Sequence, residues 1–251
     1  MKLEAFKFRI EAGVAHITLN QPERGNPMDE TFTREFSQLA TECSVNKEVR
    51  AVLIDAAGRY FSVGGDIKAM TKDRGDFPRF AVGSTADLHM AVTRFARMNA
   101  PIVLAVHALA AGGGVSLTAL ADFVLAAPGA TFYAAFLGIG ISPDTGATYF
   151  LPRRIGSRRA TEFLMRNQTL SAEAALGAGL ITRIVDADAL AAEAKSLALE
   201  LAQGPTLAYG ELRNLMLSST LNPLEAQWRR SRERWRAWCA PMIAGPPSTP
   251  C

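Results

Sequence analysis

The chain has 251 residues, 49% hydrophobic and 20% charged, with a formal net charge of +3. That apolar content excludes a disordered polypeptide, and no apolar run approaches the ~20 residues needed to cross a bilayer. Met1-Lys2-Leu3-Glu4 shows no secretory leader, and Cys43, Cys239 and Cys251 are too few and scattered for a disulfide framework, so a reducing cytoplasm is the expected location.

In chain order, Leu3 to Ile10 and Val14 to Asn20 read as two short strands joined at Glu11-Ala12-Gly13, a hairpin signal. Pro22 to Pro27 is polar punctuation. Asp29 is then expected to cap a helix in which Phe32, Phe36, Leu39, Ala40 and Cys43 recur at helical spacing. Arg50 to Ala56 has the length and β-branching of a buried strand. A loop from Gly58 to Gly65 leads into a polar stretch, Lys72 to Asp76, and Leu88, Ala91, Val92, Phe95 and Met98 mark a helix stopped before Pro101. Ile102 to Val106 is the next strand, followed by Gly112-Gly113-Gly114, a small-residue helix to Ala121, and a strand over Asp122 to Ala126. Asp144 is expected to open a helix, Ser171 to cap another ahead of Gly177 and Gly179, and Ile181 to Val185 to form a last short strand.

Helices over Ala189 to Ala202, Thr206 to Ser218 and Leu224 to Trp238 follow, and the Pro-rich tail from Pro241 to Cys251 is expected to be unstructured. Strands alternating with helices imply an α/β fold with a largely parallel sheet and right-handed crossovers. The expected organisation is a core over residues 1–187, a helical region over 188–240 and a tail over 241–251. Arg229-Arg230-Ser231-Arg232-Glu233-Arg234-Trp235-Arg236 holds most of the charge asymmetry; a solvated helix face or an inter-subunit contact accounts for it better than nucleic acid.

Two glycine-containing loops follow strands and open helices: Phe61-Ser62-Val63-Gly64-Gly65-Asp66-Ile67 and Ala110-Ala111-Gly112-Gly113-Gly114-Val115. Backbone N–H groups at a helix N-terminus are free donors, and glycine lets a ligand approach them. Taken singly, a glycine triplet more often serves tight packing. Neither loop matches a P-loop, GxGxxG is absent, and no metal-ligand spacing is present.

Both loops at this spacing, followed by Gly140-Ile141-Ser142-Pro143-Asp144-Thr145-Gly146-Ala147-Thr148-Tyr149-Phe150-Leu151-Pro152-Arg153, resemble the crotonase, or enoyl-CoA hydratase/isomerase, superfamily from about residue 3 to residue 230. The resemblance implies a spiral ββα core with a helical C-terminal region, assembled as trimers or dimers of trimers. It also implies a CoA-thioester substrate, so that coenzyme A arrives with the substrate and no separate cofactor is expected. Carried over by position, the amides of Ser62 and Gly113 would hold the thioester oxygen as it becomes an enolate, a task in which one lost donor costs ~2.7–4 kcal/mol. Ser62, Val63, Gly64, Gly65, Asp66 and Ile67 would lie along coenzyme A, with Lys68 a candidate for its phosphates, although an exposed lysine is also simply solvated. Gly112, Ser116 and Phe136 would line the same site.

The departures from the family bear on the reaction. Its hydratases hold and activate water with two glutamates, and this chain has Ser116 and Phe136 at those positions. Phenylalanine cannot act as a base, and serine without a partner is a poor one. Asp144 remains, where an acidic residue in the family's isomerases moves a proton between carbons 2 and 4. Phe136, Ile139, Ile141 and Phe150 would give it an apolar pocket that raises its pKa; on residue type alone it is also a plausible helix cap. His16, His89 and His107 read as structural, and Met70, Met90 and Met98 as core or acyl-pocket filler. The expected activity is a shift of an enoyl-CoA double bond from the 3,4 to the 2,3 position. The alternatives are a ring-epoxide isomerase of the phenylacetyl-CoA type, a catalytically weak acyl-CoA binder, and an RNA-binding member of the family. The family commonly ends in a helix rich in glutamate and lysine, where this chain has Trp235-Arg236-Ala237-Trp238-Cys239, so an altered end and a weakened oligomer are expected.

Overall fold

The computed structural model describes residues 2–67 and 77–243. Lys68, Met70 and the polar stretch at 72–76 lie outside these residues, as does the tail from residue 244. The chain opens with β1 (Phe6–Glu11) and β2 (Val14–Leu19), an antiparallel hairpin in which Glu11 faces Val14. Ala12 and Gly13 both take positive φ, 50° and 81°, the two-residue turn whose twist suits a hairpin. After β3 (Pro27–Met28), the side chain of Asp29 accepts a hydrogen bond from the Phe32 amide and so caps α1 (Glu30–Val45), as expected.

β4 (Ala51–Ala56), β5 (Gly64–Gly65), α2 (Phe77–Arg97), β6 (Ile102–Val106), β7 (Ala110–Ala111), α3 (Gly113–Leu120) and β8 (Phe123–Ala126) follow. Then come β9 (Thr131–Tyr133), α4 (Ala147–Ile155), α5 (Ser157–Met165), β10 (Thr169–Ser171), α6 (Ala172–Ala178) and β11 (Arg183–Ile184). Three helices complete the described chain: α7 (Ala187–Gln203), α8 (Thr206–Ser219) and α9 (Leu224–Ile243).

The main sheet has the order β1-β2-β4-β6-β8-β11, parallel from β2 onward, so each turn of the chain lays down its strand beside the previous one. Alternating side chains cover both faces of this sheet. Ile17, Val52, Ile54, Leu104 and Val124 turn into the larger core with Phe32, Phe36 and Phe95, whereas Val14, Leu53, Val103 and Leu125 meet Leu190, Ala194, Ala198 and Leu201 of α7. Two smaller sheets, β10-β9-β7 and β3-β5, run beside the helices and are joined by a bridge between Ser62 and Ala110. Sequence periodicity missed them because two- and three-residue strands carry no period; α5 was also unforeseen.

Two arginines finish helices. Arg154 donates to the carbonyls of Ala119 and Ala121 at the end of α3, and Arg213 donates to those of Phe95, Met98 and Ala100 at the end of α2 while pairing with Asp122. At the other extreme, α9 runs to Ile243, three residues into the segment expected to be unstructured.

Candidate active site

The glycine corner is assembled from β3, β5, β7 and the start of α3. Asn26, almost fully buried, accepts from the Gln21 amide and donates to the carbonyls of Ala57 and Tyr60, while its own carbonyl accepts the Ser62 hydroxyl at 2.8 Å. Its φ of 55° is one that asparagine tolerates better than most residues. This brace sets the depth of the Ser62 loop, and sequence reading did not single it out. Gly64 must be glycine: its φ is +83°, and a Cβ there would come within 2.9 Å of the Ala111 carbonyl oxygen.

The register of β3 and β5 decides which amides face the corner. Pro27 pairs with Gly64 and Met28 with Gly65, and the Gly64 amide donates to the Ser62 hydroxyl oxygen at 3.2 Å. Successive amides along a strand point to opposite edges, so the Gly65 amide faces the edge opposite to that of Gly64. Ser62, expected to supply one oxyanion donor, is fully buried, and its amide donates to the Leu109 carbonyl at 3.1 Å. That expectation is corrected: the parallel bridge to Ala110 consumes the Ser62 donor. Gly113 stands as expected at the first turn of α3, packed so tightly that a Cβ would lie 2.3 Å from Met28 Sδ and 3.4 Å from Thr145 Oγ1.

Asp144 approaches the same corner from the loop before α4. It does not open that helix, which starts at Ala147 with Gly146 as its cap; Thr145 and Gly146 take φ of 57° and 78°, outside the right-handed helical region. Its carboxylate is not a helix cap either. Asp144 Oδ1 lies 2.6 Å from His89 Nε2 on α2, and the Asp144 carbonyl accepts the Ser116 hydroxyl at 3.1 Å. The expected closed apolar pocket is also absent: Phe136 and Phe150 are buried, but Ile139 is exposed and the Asp144 side chain is 36% exposed. Phe136 closes the floor, its Cζ 3.9 Å from where a Gly112 Cβ would stand. Two non-glycine residues flanking these groups, Ala135 and Thr145, hold left-handed φ of 62° and 57°, the kind of local strain that clusters at functional sites.

The structure thus gathers Gly64, Gly65, Gly112, Gly113, Ser116, Phe136 and Asp144 around one corner. Val63 donates its amide to the Gly25 carbonyl, Asp66 is ion-paired with Arg24, and Ile67 is exposed at the rim. His89 was passed over, since its partner lies 55 residues away and no spacing reveals the pair. His107 bonds the Gly58 carbonyl, a structural contact. His16 pairs with Asp55 at 2.7 Å on the sheet face under α7; burial pulls the Asp55 carboxyl up, but the bonds from His16 and Thr18 outweigh it and hold it below the ordinary value. Among the described residues no group of three or more His, Cys, Asp and Glu side chains is placed to hold a metal ion, and no helix is long and apolar enough to cross a membrane.

The sequence profile of the Enoyl-CoA hydratase/isomerase family matches residues 9–237. The chain is 34% identical over 242 residues to the 1,2-epoxyphenylacetyl-CoA isomerase of Escherichia coli K12, covering 93% of this chain and 90% of that protein. It is 28% identical over 226 residues to the trans-2-decenoyl-[acyl-carrier-protein] isomerase of Streptococcus mutans, covering 88% of this chain and 84% of that one. Among solved structures, an enoyl-CoA hydratase of Polaromonas sp. JS666 superposes with a TM-score of 0.88 at 27% identity, covering 96% of this chain and 94% of that one. With the family profile matched over residues 9–237 and the fold shared, the chain belongs to the enoyl-CoA hydratase/isomerase family of the crotonase superfamily.

Proposed function

We propose that the protein is an acyl-CoA isomerase that converts a 3-enoyl-CoA to the 2-enoyl-CoA through an enolate. Asp144 takes a proton from carbon 2, and the electron pair delocalises through the 3,4 double bond and the thioester carbonyl. The amides of Gly113 and Gly65 hold the resulting oxyanion. Asp144 then returns the proton to carbon 4, leaving the double bond between carbons 2 and 3. Backbone donors suit this task because they are fixed before the charge develops. Gly64 to Ile67, with Lys68, would run along the coenzyme A.

The observation that carries the reading is the Asp144 carboxylate beside the glycine corner, with Ser116 and Phe136 in the two places where a hydratase would hold water. Ser116 gives its hydroxyl hydrogen to the Asp144 carbonyl, and Phe136 offers no base. A linear 3-enoyl-CoA mixed with the purified protein should gain the ultraviolet absorbance of a conjugated thioester. Asp144→Asn should lower that rate at least ~100-fold, the scale of a lost general acid/base, while acyl-CoA binding is retained. A wild-type protein that leaves 3-enoyl-CoA unchanged, or an active Asp144→Asn variant, overturns the assignment.

A second reading is favoured by the relative at 34% identity: a ring-epoxide CoA isomerase relying on the same aspartate. Turnover of an aromatic ring-epoxide thioester in preference to linear substrates would select it. Exposed Leu212, Met216, Leu221, Leu224 and Trp228 on and between α8 and α9 suit assembly into a trimer, which light scattering would register as three times the chain mass.

A further inference from the structure

We propose that His89 is the positioning residue of Asp144, a role that rests on the isomerase reading above. A carboxylate can take a proton on either oxygen. A group that serves carbons 2 and 4 in turn has to present one oxygen along one face of the acyl chain. His89 Nε2 stands 2.6 Å from Asp144 Oδ1. A carboxylate only accepts, so Nε2 carries the hydrogen. Oδ1 is thereby occupied, the plane of the carboxylate is set, and Oδ2 is left for the substrate.

The other end of the residue is held too. Ser116 donates to the Asp144 carbonyl at 3.1 Å, and Thr145 sits at a φ of 57°, so the backbone cannot readily rotate to compensate for a loose side chain. Side-chain exposure is 58% for His89 and 36% for Asp144, which puts the imidazole on the solvent side of the pair. Removing it leaves no buried orphan. The expected defect is therefore one of aim, and misplacement of a reacting group by an ångström costs up to ~100-fold in rate.

Three proteins test this: wild type, His89→Gln, which keeps an N–H donor near the Nε2 position, and His89→Leu, which does not. With 3-enoyl-CoA, His89→Leu should lose about 10- to 100-fold in kcat with KM within about twofold, and His89→Gln should stay within about threefold of wild type. Wild-type kcat in His89→Leu overturns the proposal, as does a His89→Gln variant as slow as His89→Leu. A second measurement needs no turnover: in histidine-labelled protein, the ¹⁵N signal of His89 Nε2 should shift on Asp144→Asn substitution. An unchanged signal overturns the pairing. If the wild type fails to isomerise 3-enoyl-CoA, the reaction assigned above falls, and the ¹⁵N result decides the His89–Asp144 pair by itself.

Discussion

The two halves of the site are built on opposite plans. The glycine half is main chain: Gly113 to Leu120 and Ser62 are buried, and the orientation of each amide follows from ladders and close packing. The acid half is a single side chain on a loop, more than a third exposed, aimed by a histidine from another helix and a serine from α3. The first half cannot be altered by exchanging side chains without disturbing the fold. The second can be altered with little structural cost. A family that keeps one way of holding an enolate while changing the proton chemistry around it would be expected to divide its site in this way.

The difference can be broken first from the acid side. Ser116→Glu with Phe136→Glu should give detectable addition of water to 2-enoyl-CoA, against almost none in wild type, and should lower stability by several kcal/mol, because both carboxylates enter buried positions without partners. Rapid hydration by the wild type would show that the absent glutamates are not diagnostic. On the backbone side, Gly64→Ala should destabilise the fold on the order of 3 kcal/mol, since the methyl group adds left-handed strain to a clash with the Ala111 carbonyl. An unchanged urea midpoint would mean that β5 can move, and the contrast between a fixed and a tunable half would collapse. The smallest effect is expected where the halves meet. Ser116→Ala removes one hydroxyl bond to the Asp144 carbonyl, worth about 1 kcal/mol, and should slow isomerisation several-fold without weakening substrate binding. A variant with full activity would leave His89 as the main restraint on Asp144.

What the sequence makes legible divides along the same line. The Asp29 cap, the helical faces of α1 and α7 and the strands β4 and β6 are local signals, and each lies within a residue or two of its expected place. The glycine loops were legible because a backbone that must approach another closely has few residue choices. That the Ser62 amide is consumed was not, because that depends on the bridge to Ala110, far along the chain. Asp144 as a helix opener failed for a related reason: Pro-Asp is a common start signal, but the next two residues take left-handed φ and delay the helix to Ala147. His89 has no local signature at all. Its meaning appears only once α2 packs beside the loop that carries Asp144.

Arg154, well away from the chemistry, changes what α3 offers to an anion. A short helix is polarised along its axis, with roughly half a positive charge at its start and half a negative charge at its end. By donating to the Ala119 and Ala121 carbonyls, the guanidinium places a positive charge against the negative pole. At the Gly113 end, the cap residue Gly112 brings no side-chain hydrogen bond to the helix. Under the isomerase reading, an oxyanion at Gly113 would meet the first-turn amides of a helix whose far end is already bonded by Arg154.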